Sequence, residues 1–119
     1  MSSQSGVVVH ITAETVSGWT MALQNLANLV QDASVETPPE AIEVVVNGPG
    51  VRFLRASAPE AENVAQMLAA GVTVAVCERS VARFDYTNAE FVSGVTVVPS
   101  GVAEVLRAQE DGARMLKLP

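Results

Sequence analysis

The stretch Ile42-Glu43-Val44-Val45-Val46-Asn47-Gly48-Pro49-Gly50 decides the fold. Its first five residues are β-branched apart from Glu43, and a near-continuous apolar run of this length suits a strand covered on both faces. Asn47-Gly48-Pro49-Gly50 then stops it, because Gly and Pro punctuate regular structure. Val51 to Ala56 is too short for periodicity to decide and is read as a short helical segment. Pro59 opens a clearer helix through Glu60, Glu62, Val64, Ala65, Met67, Leu68 and Ala69, with acids in its first turn and Gly71 as its stop. A second β-branched run, Val72 to Cys77, follows at once. Strand, helix and strand in this order form one parallel crossover unit.

The flanks repeat the alternation. Upstream of the Pro38-Pro39 break, Trp19, Ala22, Leu23, Leu26, Leu29 and Val30 follow helical three-and-four spacing, with Ser17 as the expected N-cap and an end near Asp32. Before that helix, Gly6 to Thr12 is a Val/Ile-rich strand. Downstream, Ser80 to Phe84 and Asn88 to Val92 read as short helical pieces and Val95 to Val98 as a strand. Gly101 to Asp111 reads as a helix closed by Gly112, and Arg114 to Leu118 as a fifth, edge strand. The expected fold class is α/β: a three-layer α/β/α sandwich around a mainly parallel sheet of about five strands, in one domain spanning residues 1–119. Ligands of such sheets collect beyond the carboxyl ends of the strands. That rule selects the loops Ala13 to Ser17, Asn47 to Gly50, Cys77 to Ser80 and Pro99 to Gly101.

Composition narrows the function classes. The chain is 49% hydrophobic and 17% charged with a mean hydropathy of +0.29, values of a folding domain and not of a disordered segment. No apolar run approaches the ~20 residues that cross a bilayer, and Met1 to Gly6 carries no Lys or Arg to begin a secretory signal, so the expectation is a cytoplasmic protein with no membrane partner. A net charge of −6 disfavours nucleic acid. Met1 to Val51 holds five acids and no Lys or Arg, so an anion site is expected to draw on the second half. A lone Cys77 excludes an internal disulfide, and with one histidine no metal site is expected.

Cys77 is the most informative residue, at the carboxyl end of a buried strand and just before a helix start at Ser80. A helix N-terminus with Arg79 and Arg83 nearby stabilises a thiolate, which makes Cys77 a candidate nucleophile or sulfur carrier; inert packing is the competing reading. His10 lies inside the first strand and reads better as a buried histidine bonded to nearby backbone than as a partner of Cys77. Thr15-Val16-Ser17-Gly18-Trp19-Thr20 loosely resembles the phosphate loop of flavodoxins, which would make a flavin protein, but ordinary helix capping accounts for the same hydroxyls. Arg52 and Arg55 read as an anion site or as solvated surface arginines.

The ordered set Val44-Val45-Val46-Asn47-Gly48-Pro49-Gly50-Val51, Ala70-Gly71-Val72, Val74-Ala75-Val76-Cys77, Gly94-Val95-Thr96-Val97-Val98-Pro99-Ser100-Gly101-Val102 and Gln109-Glu110-Asp111-Gly112 resembles the DsrE/DsrF-like proteins, the sulfur-relay group with the YchN-like fold, over nearly the full length. The resemblance implies homotrimers or homohexamers, no organic cofactor, and a cysteine at the end of the third strand that carries a persulfide between a donor and an acceptor protein. Cys77 matches that position. Relatives often read Cys-x-Asn-Ser/Thr there, whereas this chain has Cys77-Glu78-Arg79-Ser80, with Glu78 opposing a thiolate and Arg79 favouring it. The expected function is therefore a sulfur carrier or sulfurtransferase acting through Cys77, with Asn47, Gly48, Gly50, Arg79, Ser80 and Ser100 lining the site; the alternative is a non-catalytic oligomeric binding module in which Cys77 packs. A small chain with so few charges is also expected to self-associate.

Overall fold

A computed structural model describes residues 6–118; the N-terminal residues read above for a signal, Met1 to Ser5, lie outside it. The five strands are β1 (Val7–Ile11), β2 (Ile42–Val46), β3 (Thr73–Cys77), β4 (Thr96–Val98) and β5 (Arg114–Leu118), and the helices are α1 (Val16–Gln31), α2 (Ala61–Ala70), α3 (Glu78–Arg83) and α4 (Gly101–Glu110). All strand pairs are parallel, in the order β4-β3-β2-β1-β5. The segment after β2, ambiguous in sequence, is a 3-10 helix over Gly48–Leu54.

Period-two alternation divides the strand side chains between two cores. Val7, Val9 and Ile11 of β1, Val44 and Val46 of β2, and Val74 and Val76 of β3 pack with Trp19, Ala22, Leu23 and Leu26 of α1 and Val64 of α2. Val8, Val45 and Ala75 face the other way and meet Val105 of α4. The unequal layers follow from topology. Steps β1 to β2 to β3 to β4 all move one way across the sheet, whereas β4 to β5 returns past β1. A right-handed crossover made in the opposite direction lays its helix on the opposite face. α4 is that returning helix, and it runs antiparallel to the strands, so its first residue sits over their carboxyl ends.

Helix ends are set locally. The N-cap of α1 is Thr15 and not Ser17: the Thr15 hydroxyl accepts from the Gly18 N–H at 3.0 Å, and Ser17 lies within the first turn. The capping reading of the Thr15 to Thr20 stretch therefore holds, and the Thr20 hydroxyl is engaged with the Glu60 carboxylate. Gly71 ends α2 at φ 111°, a left-handed conformation that side chains with a Cβ adopt only at a cost.

Gly50 brings the loops after β1 and β2 together. A Cβ there would lie 2.6 Å from the Ala13 carbonyl oxygen, which is main chain and cannot rotate away. Gly50→Ala is expected to destabilise the protein by about 1–3 kcal/mol through overpacking, measured as a lower urea midpoint with an unchanged m-value.

Candidate functional site

Cys77 is the last residue of β3 and the N-cap of α3, so its side chain stands where a strand hands over to a helix with unpaired N–H groups. Its side chain lies on the α4 face, because Val76 before it points into the opposite core. β4, which pairs Val98 with Cys77, then carries the chain through Pro99 and Ser100 into α4. Two helix starts thus converge on one sulfur. The main-chain N–H groups of Gly101, Ser80 and Arg79 and the Ser80 hydroxyl all donate to it. Burial pushes the thiol up, but these donors outweigh it and hold Cys77 below the ordinary cysteine pKa.

Two features keep the donors in place. Ser80 is buried, and its hydroxyl oxygen accepts from the Gly48 N–H at 2.8 Å while its proton serves Cys77. The N–H of the β2 loop is thereby relayed through one hydroxyl to the sulfur. Gly101 comes close because it lacks a side chain: a Cβ at that position would sit 3.2 Å from the Cβ atoms of both Asn47 and Cys77 and 3.4 Å from Val45 Cγ1. The same contact leaves Cys77 only 6% exposed.

Asn47 flanks the sulfur on the β2 side, one residue past the Val46 and Val76 register pair. His10 Nε2 donates to Asn47 Oδ1 at 2.5 Å, which occupies the amide oxygen and leaves the amide N–H groups for other partners. His10 is half-buried and bonded to a side chain, whereas the sequence reading gave it backbone partners. His10, Asn47 and Cys77 thus share the α4 face near the carboxyl ends of three adjacent strands.

The remaining expected site residues fall into different roles. Arg79 is exposed and acts on the sulfur through its main-chain N–H, and its guanidinium is not among the causes that shift Cys77. Ser100 is the N-cap of α4, accepting from the Ala103 N–H at 3.2 Å, so it fixes the helix that delivers Gly101. Gly48 supplies an N–H to Ser80, while Gly50 packs on Ala13. Arg52 and Arg55 are structural: Arg52 donates to the Glu14 carbonyl and lies over Phe53, and Arg55 pairs with Glu90 at 3.5 Å and lies over Tyr86. Gly101 is read from sequence as a helix start and as the end of the Pro99 to Gly101 loop at a strand's carboxyl end, but not as a donor to Cys77. A Pro-Ser-Gly turn directly after a strand is the sequence signal that marks it. Among the described residues no three His, Cys, Asp or Glu side chains converge in a way that could hold a metal ion, and no helix is long and apolar enough to cross a membrane.

The model of the DsrE/DsrF-like family matches residues 7–118. The chain belongs to this family, a group linked to sulfur relay. Among solved structures, a protein of unknown function from Methanobacterium thermoautotrophicum is 28% identical, with a TM-score of 0.86 over 96% of this chain and 99% of that one. The ychN protein from E. coli has a TM-score of 0.66 at 16% identity over 97% of this chain and all of the other, and a conserved protein of unknown function from Bacteroides thetaiotaomicron scores 0.64 at 16% identity over 93% and 94%. These last two likenesses show the fold. No curated protein matches the chain.

The donor set makes the pH dependence of Cys77 alkylation diagnostic. Ser80→Ala removes one charge-assisted donor and is expected to lower the thiolate fraction at neutral pH roughly tenfold, with the rate-against-pH curve displaced to higher pH. Arg79→Ala keeps its N–H and is expected to leave the curve in place.

Proposed function

We propose that this member of the DsrE/DsrF-like family carries sulfane sulfur as a persulfide on Cys77. The observation that supports the reading most is the convergence of three main-chain N–H groups and the Ser80 hydroxyl on one sulfur, which lowers the thiol pKa and so favours the thiolate despite burial. A thiolate is the nucleophile of sulfur exchange, and a stabilised thiolate is also the better leaving group. Loading takes place when the Cys77 thiolate attacks the outer sulfur of a donor persulfide. The donor's S–S bond breaks, the donor departs as a thiolate, and Cys77 holds the outer sulfur. In unloading, an acceptor thiolate attacks that sulfur with its own lone pair to form a new S–S bond, and Cys77 leaves as a thiolate with the electron pair of the S–S bond that breaks. No net oxidation occurs in either step. The same N–H groups receive the negative charge each time it returns to Cys77.

The partners in this reading are a donor and an acceptor protein thiol, and the protein itself acts as a homotrimer or homohexamer. Exposed apolar side chains on the outer side of α4, Val102 and Leu106, and on the edge strand, Met115 and Leu116, support self-association. Light scattering at micromolar concentration is expected to give a multiple of 12.4 kDa; a monomer mass contradicts it.

A second reading has its own observation: with 6% exposure Cys77 is nearly enclosed, as a packing cysteine would be. Incubation with a persulfide donor followed by intact-mass measurement separates the two. A carrier gains about 32 Da, one sulfur atom on the thiol ladder, on wild type and not on Cys77→Ser. No gain on wild type, or an equal gain on Cys77→Ser, returns the molecule to the binding-module reading.

A further inference from the structure

At the end of α4 remote from Cys77, a cavity of about 400 Å³ opens between the helix and the amino ends of the strands. Glu43 of β2 points into it, half-buried on the face that α4 covers. Glu104, at the end of the first turn of α4, meets Glu43 there, and the two carboxyls share a hydrogen bond, which requires a proton between them. The bond joins the first turn of α4 directly to the second strand. On the apolar side, Val105 is the residue by which α4 enters the second core, with Ala108 partly buried beside it. The carboxyl pair adds a polar tie to the contacts that Gly101 and Val105 make with the sheet.

We propose that the Glu43 and Glu104 carboxyls form a pH-sensitive latch that holds α4 on the sheet while they share a proton and loosens the helix when that proton is lost. Burial first, then the hydrogen bond and the repulsion from Glu104, raise Glu43 to about 7. Arg107, bonded to Glu104 at 2.7 Å, pulls in the opposite direction. The other charged groups facing the cavity are Asp111 at the end of α4 and Glu40 from the turn before β2, both acidic, while β1 contributes only Val7 and Val8. With Glu43 ionised, the cavity holds four carboxylates against one guanidinium. The direction follows from linkage: a carboxyl that titrates higher in the closed state than in the open one stabilises closure at low pH. That stabilisation declines from the ordinary carboxyl value of 4.5 up to about 7 and then levels off.

α4 is one rigid rod whose first residue donates its N–H to Cys77. Glu104 lies in the same first turn as Gly101, so loosening the latch frees Gly101 as well, and the proton count at the amino ends of the strands sets how tightly the sulfur is covered at their carboxyl ends. The latch is defined by the acids and the helix, and it stands whether or not Cys77 carries sulfur.

Amide hydrogen exchange of the full-length protein at pH 5 and pH 8, corrected for intrinsic exchange rates, tests it. In wild type the opening equilibrium of α4 amides is expected to rise at least roughly tenfold between the two, as follows from a carboxyl whose pKa differs by more than two units between open and closed helix. The α2 amides serve as an internal reference and are expected to hold steady. Glu43→Gln keeps a donor toward Glu104 without titrating and is expected to leave α4 equally protected at both pH values. If that variant does not fold, Glu104→Gln reads the same loss of pH dependence. Protection of α4 that is independent of pH in wild type, an equal change in α2, or an undiminished change in the Gln variants overturns the latch.

Discussion

The contact on which most of this structure turns is the approach of one glycine. Gly101 lies where a side chain would press on Asn47, Cys77 and Val45 together, so the start of α4 settles directly on the carboxyl ends of β2 and β3. That approach does two things. It closes the second core over Val8, Val45 and Ala75 with a single helix, and it brings a main-chain N–H to the sulfur of Cys77. Any Cβ at 101 would have to be accommodated by the strand ends, and the donor would withdraw with it. Because a helix N-terminus has N–H groups to spare, the packing requirement and the electrostatic one are met by the same residue.

Much of the architecture is legible in the sequence because it is local. Ile42 to Val46 is a strand whose limits follow from β-branched residues bounded by Pro39 and by Asn47-Gly48, and Gly71 marks its helix end because only a left-handed residue closes that turn cheaply. Cys77 is placed correctly at a strand end for the same reason. What escapes a linear reading depends on meetings across the chain. The His10 and Asn47 pair joins residues 37 apart, brought together by β1 and β2 lying side by side. The N-cap of α1 falls to Thr15 because two hydroxyl residues compete at that helix start, and only the path of the chain leaving β1 decides between them. Arg79 looks in sequence like a charge poised beside a thiol, yet its side chain is exposed and its backbone is what reaches the sulfur. Glu104 carries no linear sign of its target, since the face α4 covers is set by the reversal of strand order and not by anything within the helix.

α4 therefore has chemistry at both ends. Its first residue contributes to the environment of Cys77, and Glu104 of the same turn meets the half-buried carboxyl of Glu43 beside an acidic cavity that runs on to Asp111. Its central apolar footing is small, centred on Val105, while the opposite face of the sheet is sealed by α1, α2, α3 and the 3-10 segment. The more thinly held layer is the one that covers the sulfur, which is where the proposed persulfide carrier would need its weaker packing.

The account rests on the Cys77 sulfur being held as a thiolate by main-chain donors from two separate turns. A proton–nitrogen correlation NMR titration reads this directly, because an amide that donates to a thiol shifts as the thiol ionises. The amide signals of Arg79, Ser80 and Gly101 are expected to move together with one apparent pKa below the ordinary thiol value, and to stay still in Cys77→Ser. A Gly101 amide that does not follow the others, or a common transition at or above the ordinary thiol pKa, contradicts it.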